Sequence, residues 1–196
     1  MVITLAGRRV DEKDAKEERF PLKNANKVSN ELRAKFKALN PGALVSSAAC
    51  GADLIALVAA HELGIRRRII LPFPPPKFRK TSVIDRPGNS TWNWGEIFDF
   101  LAQKAEESND LVVAPPSEDE TAAYATTNGL IISEGIKLAS KEIQRDDTDE
   151  NHKNILALIV WEGNSRGDDD LTAEFADKAK AKGITVEQVY TVNPNG

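Results

Sequence analysis

A chain of 196 residues is long enough for one large domain or two very small ones. Its composition, 41% hydrophobic and 29% charged, is ordinary for a soluble globular protein, and a net charge of -4 gives no reason to expect a nucleic-acid partner. No apolar run approaches the roughly 20 residues of a membrane span. The opening MVITLAGRRV lacks the charged, apolar and small-residue pattern of a signal peptide, so a cytoplasmic protein without a membrane partner is expected. One cysteine, Cys50, rules out an intrachain disulfide, and two histidines are too few for the usual zinc frameworks. Neither a structural metal nor a resident cofactor is expected.

In chain order, β-branched apolar runs alternate with helical patterns. Strands are predicted over 2–6, 43–46, 68–72, 111–114, 155–161 and 185–190. Four of these runs are nearly continuous in apolar residues, as in strands buried on both faces of a parallel sheet. Helices are predicted over 22–39, 51–64, 94–108, 119–144 and 169–182. Gly64 stands where a helix C-terminus needs a left-handed residue, and Gly129 and Gly135 weaken the long fourth helix. The charged segment 144–154 reads as a solvated loop and the last residues, 193–196, as a frayed tail. Strand–helix alternation of this kind predicts one α/β domain over 1–192, a doubly wound, mostly parallel sheet flanked by helices.

Ligands of such sheets bind outside the carboxyl ends of the strands. The loops there are GRRVD, SAACGAD, PFPPPKF, PPSEDE and EGNSRGDDDLT. The first brings Gly7, Arg8, Arg9 and Asp11. The second runs through Ala49 and Gly51 into a helix start, whose free amides and dipole attract anions. Together they suit a phosphorylated small molecule. Each residue also has a purely structural reading: Gly7 as a turn, the arginines as solvated charge, Asp53 as an acid at a helix start, the alanines as packing, and Cys50 as an inert buried thiol. Tyr124 and Asn128, four apart on one helix face, read equally as base- or ribose-facing groups or as a half-buried pair. The P-loop, the G-x-G-x-x-G dinucleotide fingerprint and the G-x-S-x-G elbow are absent.

Four stretches in order resemble the SLOG domains, Rossmann-like nucleotide-sensing domains related to the LOG cytokinin-activating enzymes and to the DNA-processing protein DprA. AGRRVDEKDAKEERFP is similar to the family's Gly-x-x-(aliphatic)-Asp … Arg-Phe-Pro opening, and ACGADLIALVAAHELG to its Ala-x-Gly-(Ala/Gly)-Asp helix start. ILPFPPPKFRKTSV is similar to its Leu-Pro-Phe … Phe … Ser-Val element, and IVWEGNSRGDDDLTAEFADKAKAKGI to its Val-Trp-(Asp/Glu)-Gly segment and following helix. The resemblance implies a ligand site formed by Gly7, Arg8, Asp11, Arg19, Ala49, Gly51, Asp53, Trp161, Glu162, Gly163 and Thr172, with Glu174 as the carboxylate that stabilises an oxocarbenium-like transition state or activates water if the domain is an enzyme.

Two departures bear on that. Arg8 stands where the family usually has histidine, which keeps a donor and adds permanent charge. Asp170-Leu171-Thr172 stands where the family has Gly-Gly-Thr, and the acids at 168–170 would repel a phosphate. The expectation is therefore a sensor or signalling module for a nucleotide or nucleotide-derived small molecule, such as ADP-ribose, NAD or a nucleoside phosphate. The alternatives are a LOG-like N-glycosidase acting on nucleoside 5'-monophosphates, and a non-catalytic scaffold that forms a homo-oligomer. A fused or operon-encoded effector is the expected partner of the sensor.

Overall fold

The computed structural model describes residues 1–117, 119–143, 154–167 and 169–193, the side chains at 141–143 excepted. In chain order the strands are β1 (Val2–Gly7), β2 (Ala43–Ser46), β3 (Arg66–Leu71), β4 (Leu111–Val113), β5 (Ile155–Trp161) and β6 (Thr185–Tyr190). The helices are α1 (Ala25–Leu39), α2 (Ala52–Glu62), α3 (Pro75–Phe78), α4 (Trp94–Glu107), α5 (Glu120–Ile143) and α6 (Leu171–Ala181). The segment expected as a loop over 144–154 lies outside the described residues except for Asn154, as do Gln144, Asp168 and the last three residues of the expected tail.

All six strands are parallel, in the order β4-β3-β2-β1-β5-β6. Alternation along each strand divides the apolar side chains between two cores. Ile3, Leu5, Leu44, Ile69, Leu71, Leu156 and Leu158 face α1, α2 and α4. Val2, Val45, Ile70, Ala157 and Ile159 face α5 and α6. A sheet covered on both faces must be apolar on both, which is why β5 is buried from Ile155 to Val160. The result is a Rossmann-like three-layer α/β fold.

The strand order reverses at β1. The chain steps through β2, β3 and β4 on one side, then returns across α5 to place β5 and β6 on the other. The crevice beyond the carboxyl ends of β1 and β5 is thus the topological switch point, where neighbouring connections leave in opposite directions. α5 crosses β1 closely because Gly135 has no side chain: a Cβ there would lie 2.2 Å from Thr4 Cγ2.

Helix ends follow local chemistry. Gly64 (φ 70°) and Gly183 (φ 72°) take the left-handed conformation just past α2 and α6. Leu22–Asn24, expected as the first turn of α1, is a separate 3-10 turn. The Pro-rich run after β3, read as loop from sequence, forms α3 and continues as a π-helical turn over Arg79–Val83. Prolines are tolerated in that first turn because its amides have no intrahelical partner.

Candidate functional site

A cavity of about 740 Å³ opens at the switch point. One wall is the end of β1 and the loop that follows it, from Gly7 to Arg19. Opposite stand Tyr124, Thr127 and Asn128 of α5, with Leu171 and Thr172 at the start of α6. Ser47, Ala49, Asp53, Phe78, Ser82, Arg86 and Arg166 complete the lining.

Of the residues expected from sequence, Gly7, Arg8, Arg9, Asp11, Arg19, Ala49, Asp53, Tyr124, Asn128 and Thr172 line this cavity. Glu162 and Gly163, with Arg19 and Arg166, border a neighbouring depression instead. Gly51, Trp161 and Glu174 line neither.

Gly51 has a different task from the one expected of it. Its φ is 99°, and a Cβ there would come within 2.7 Å of the Arg8 carbonyl and the Val10 amide. The space that would have admitted an anion is filled by the β1 loop. Ala52, the first residue of α2, donates its amide to the Arg8 carbonyl at 3.0 Å, and Cys50 donates to the Ser82 carbonyl at 3.0 Å. Gly7 interlocks with this joint, since a Cβ there would lie 2.4 Å from Ala52 Cβ. The small residues between β2 and α2 let two backbones cross.

Arg8, expected to hold a ligand phosphate, is 5% exposed and already occupied. Its Nε donates to Glu162 at 2.6 Å and its Nη1 to Asp170 at 2.5 Å. Its Nη2 reaches Asp170 at 2.7 Å, Glu162 at 3.0 Å and the Asn164 carbonyl at 3.0 Å. Burial opposes the charge, and the two carboxylates more than offset it, so the guanidinium pKa is raised. The acidic loop therefore does not present three solvated charges to a ligand. Asp170 is neutralised in place and caps α6, accepting the amides of Thr172 and Ala173. Burial would raise its carboxyl, but hydrogen bonds from Arg8 and the Arg166 and Ala173 amides hold it well below the usual carboxylate range.

Other expected residues also hold the scaffold. Asp11 Oδ2 accepts the amides of Arg19 and Phe20, both at 3.0 Å, and so closes the loop that forms the cavity's lip. Arg19 donates to Glu17 at 2.7 Å and lies 4.0 Å from Glu162. Arg9 pairs with Asp85 and sits beside Cys50, whose thiol burial pushes up. Trp161 Nε1 donates to Gln188 at 3.0 Å, and the Arg8 guanidinium lies 5.8 Å from its ring centre. Gly163 (φ 101°) fits under Tyr190, whose ring a Cβ would touch at 3.0 Å. Glu174 pairs with Lys178 at 2.8 Å on the helix surface and accepts from Asn128 Nδ2 at 3.1 Å.

Several groups facing the cavity escape a sequence reading. Ser82 Oγ lies 2.8 Å from the Tyr124 hydroxyl, joining the π-helical turn to α5. Arg86 pairs with Glu12 at 2.7 Å. Arg166 is 3.7 Å from Asp170, and its side chain is 45% exposed. Among the described residues Lys16 makes no ion pair. Asp53 is 6% exposed; Ala49 donates its amide to Oδ2 at 3.2 Å, and Oδ1 is buried without a partner. Burial pushes its pKa up to about 7, against the pull of the Ala49 amide, the Arg9 charge and the Gly7 amide. Near neutrality Asp53 is thus half protonated, and in that form can donate a hydrogen bond.

Among the described residues no group of three or more His, Cys, Asp or Glu is arranged to hold a metal ion, and no helix is long and apolar enough to cross a membrane. No protein-family model matches the chain, and no curated protein is significantly similar to it.

Proposed function

We propose that the cavity binds a small anionic molecule of the nucleotide class and that the protein acts as a sensor or signalling module for it. The observation that carries this reading is the lining of the switch-point crevice. Lys16, Arg19, Arg86 and Arg166, exposed or half-buried, bring positive charge to it, Arg19 and Arg86 paired with the exposed acids Glu17 and Glu12, while the more buried Ser82, Tyr124, Thr127, Asn128 and Thr172 supply neutral hydrogen-bonding groups. Cations with adjacent uncharged polar groups suit a molecule with phosphates at one end and a sugar or base at the other. The resemblance of the cavity's loops to SLOG domains supports the same class of ligand.

Three features weigh against the N-glycosidase alternative. Arg8 is saturated by carboxylates, the first amides of α6 are capped by Asp170, and Glu174 lies outside the cavity. A general acid or base must come within hydrogen-bond reach of the bond being cleaved, directly or through one water.

Isothermal calorimetry with ADP-ribose, NAD, AMP and cyclic nucleotides tests the proposal. At least one is expected to bind below about 1 mM, an association worth ~4 kcal/mol. If none does, the reading fails. The glycosidase alternative would be restored by release of free base from a nucleoside monophosphate, lost in Glu174→Gln.

A further inference from the structure

Most acids lining the cavity already have work within the protein. Asp11 accepts the Arg19 and Phe20 amides, and Glu12 and Glu17 pair with Arg86 and Arg19. Asp53 differs from them. It lines the same cavity but is only 6% exposed, and one of its oxygens has nothing to bond. Oδ2 accepts the Ala49 amide at 3.2 Å, while Oδ1 is buried without a partner. A buried polar atom left open beside a cavity is a place for a ligand group to complete.

The surroundings decide which group that is. Burial favours the neutral acid and outweighs the Ala49 amide, the Arg9 charge and the Gly7 amide, which favour the anion. Arg9 is itself drawn off by Asp85, and the nearby Cys50 thiol is kept neutral by burial. The cations Lys16, Arg19, Arg86 and Arg166 on the lining select a negatively charged ligand. An anion seated there takes water from Asp53 and repels its carboxylate, and both effects favour the neutral form. That form carries its proton on Oδ1, because Oδ2 is engaged as an acceptor. A carboxylic proton needs an acceptor, and none is supplied to Oδ1 among the described residues.

We propose that Asp53 is a specificity-determining residue: as the neutral acid it donates a hydrogen bond from Oδ1 to a proton-free oxygen or nitrogen of an anionic ligand, so that binding is coupled to proton uptake. The class of ligand rests on the nucleotide reading above, while the proton linkage rests on Asp53 alone. A ligand offering only an N–H or O–H at that point is selected against, since the neutral acid holds its own proton there.

Calorimetry at about pH 5.5 and pH 8 tests this with two probes, ADP-ribose and sulfate, whose anionic groups do not titrate over that interval. With a pKa of about 7, nearly all of the free protein is in the binding form at the lower pH and about a tenth at the higher, so the wild-type Kd is expected to weaken by about tenfold. Near pH 7, buffers of different ionisation enthalpy are expected to reveal uptake of about half a proton per ligand bound. Asp53→Asn, whose amide N–H stands in for the acid proton, is expected to keep the tighter affinity at both pH values. Should that variant not fold, the wild-type profile and the proton count decide. A wild-type Kd that is constant or tightens toward alkaline pH, an equal pH dependence in Asp53→Asn, or no binding of either probe at the lower pH overturns the inference. Failure of every nucleotide alongside pH-linked sulfate binding would remove the proposed function and leave the proton linkage standing; nucleotide binding without pH dependence would do the reverse.

Discussion

Asp53 makes the protein's stability depend on pH in a direction opposite to most carboxylates. Its pKa is about 7 in the folded chain against 3.8 for the free group, a difference of about three units or ~4 kcal/mol. The stability linked to this group is present in full below about pH 4, where both states are protonated. It is lost as the pH rises to about 7, because over that interval the unfolded chain has released a proton that the folded chain still holds. Above it, the folded state carries a buried charge whose Oδ1 has no partner. Asp53→Asn removes the titration and keeps the shape. The amide oxygen can take the Ala49 N–H that Oδ2 now accepts, and the amide nitrogen would occupy the unpartnered position.

The variant's stability relative to wild type is therefore expected to grow by about 3 kcal/mol between pH 4.5 and 8. In urea this would appear as a midpoint difference widening by about 1–2 M across that range. Taking the difference between the two proteins cancels the titration of every other group that the substitution leaves alone. A difference in midpoint that stays constant with pH would refute the reasoning, because it would mean that Asp53 titrates alike folded and unfolded.

The packing and pairing around the site lead to three further expectations. Gly129→Ala, with nothing within 4 Å of the new methyl, should stabilise by about 0.5–1 kcal/mol through helix propensity, whereas Gly135→Ala, which meets Thr4, should destabilise by about 1–3 kcal/mol; urea midpoints moving in the same direction would contradict this. Arg8→Met leaves Glu162 and Asp170 buried without their cation and should cost about 3–5 kcal/mol, partly recovered in a Glu162→Gln background; a loss below about 1 kcal/mol in chemical denaturation would show the cluster to be energetically idle. Lys16→Ala and Arg166→Ala should each weaken binding of whichever nucleotide calorimetry finds by about tenfold, the worth of one charge-assisted hydrogen bond, without moving the Tm of the unliganded protein by more than ~2 °C.

What the sequence disclosed and what it withheld divide along one physical line. Features set by neighbours in the chain were legible. A strand buried on both faces has to be apolar throughout, so β5 stands out as a run. A helix that ends in a left-handed turn calls for glycine, so Gly64 and Gly183 mark α2 and α6. Features set by partners remote in the chain were not. Gly51 has the local signature of an open helix start, and only the return of the β1 loop over it turns that opening into a backbone crossing. Arg8 has the local signature of a free cation, and its partners lie 154 and 162 residues away. The acidic loop hides a pairing for the same reason: Asp170 is compensated by a residue from the far end of the chain, which no local feature of the run discloses. Nothing local signalled that the cap would also consume the arginine. The charge left to meet a ligand is therefore that of the residues whose partners are weak or exposed. That moves the candidate anion-binding groups from Arg8 and the α2 start to Lys16, Arg19, Arg86 and Arg166 in the cavity's lining.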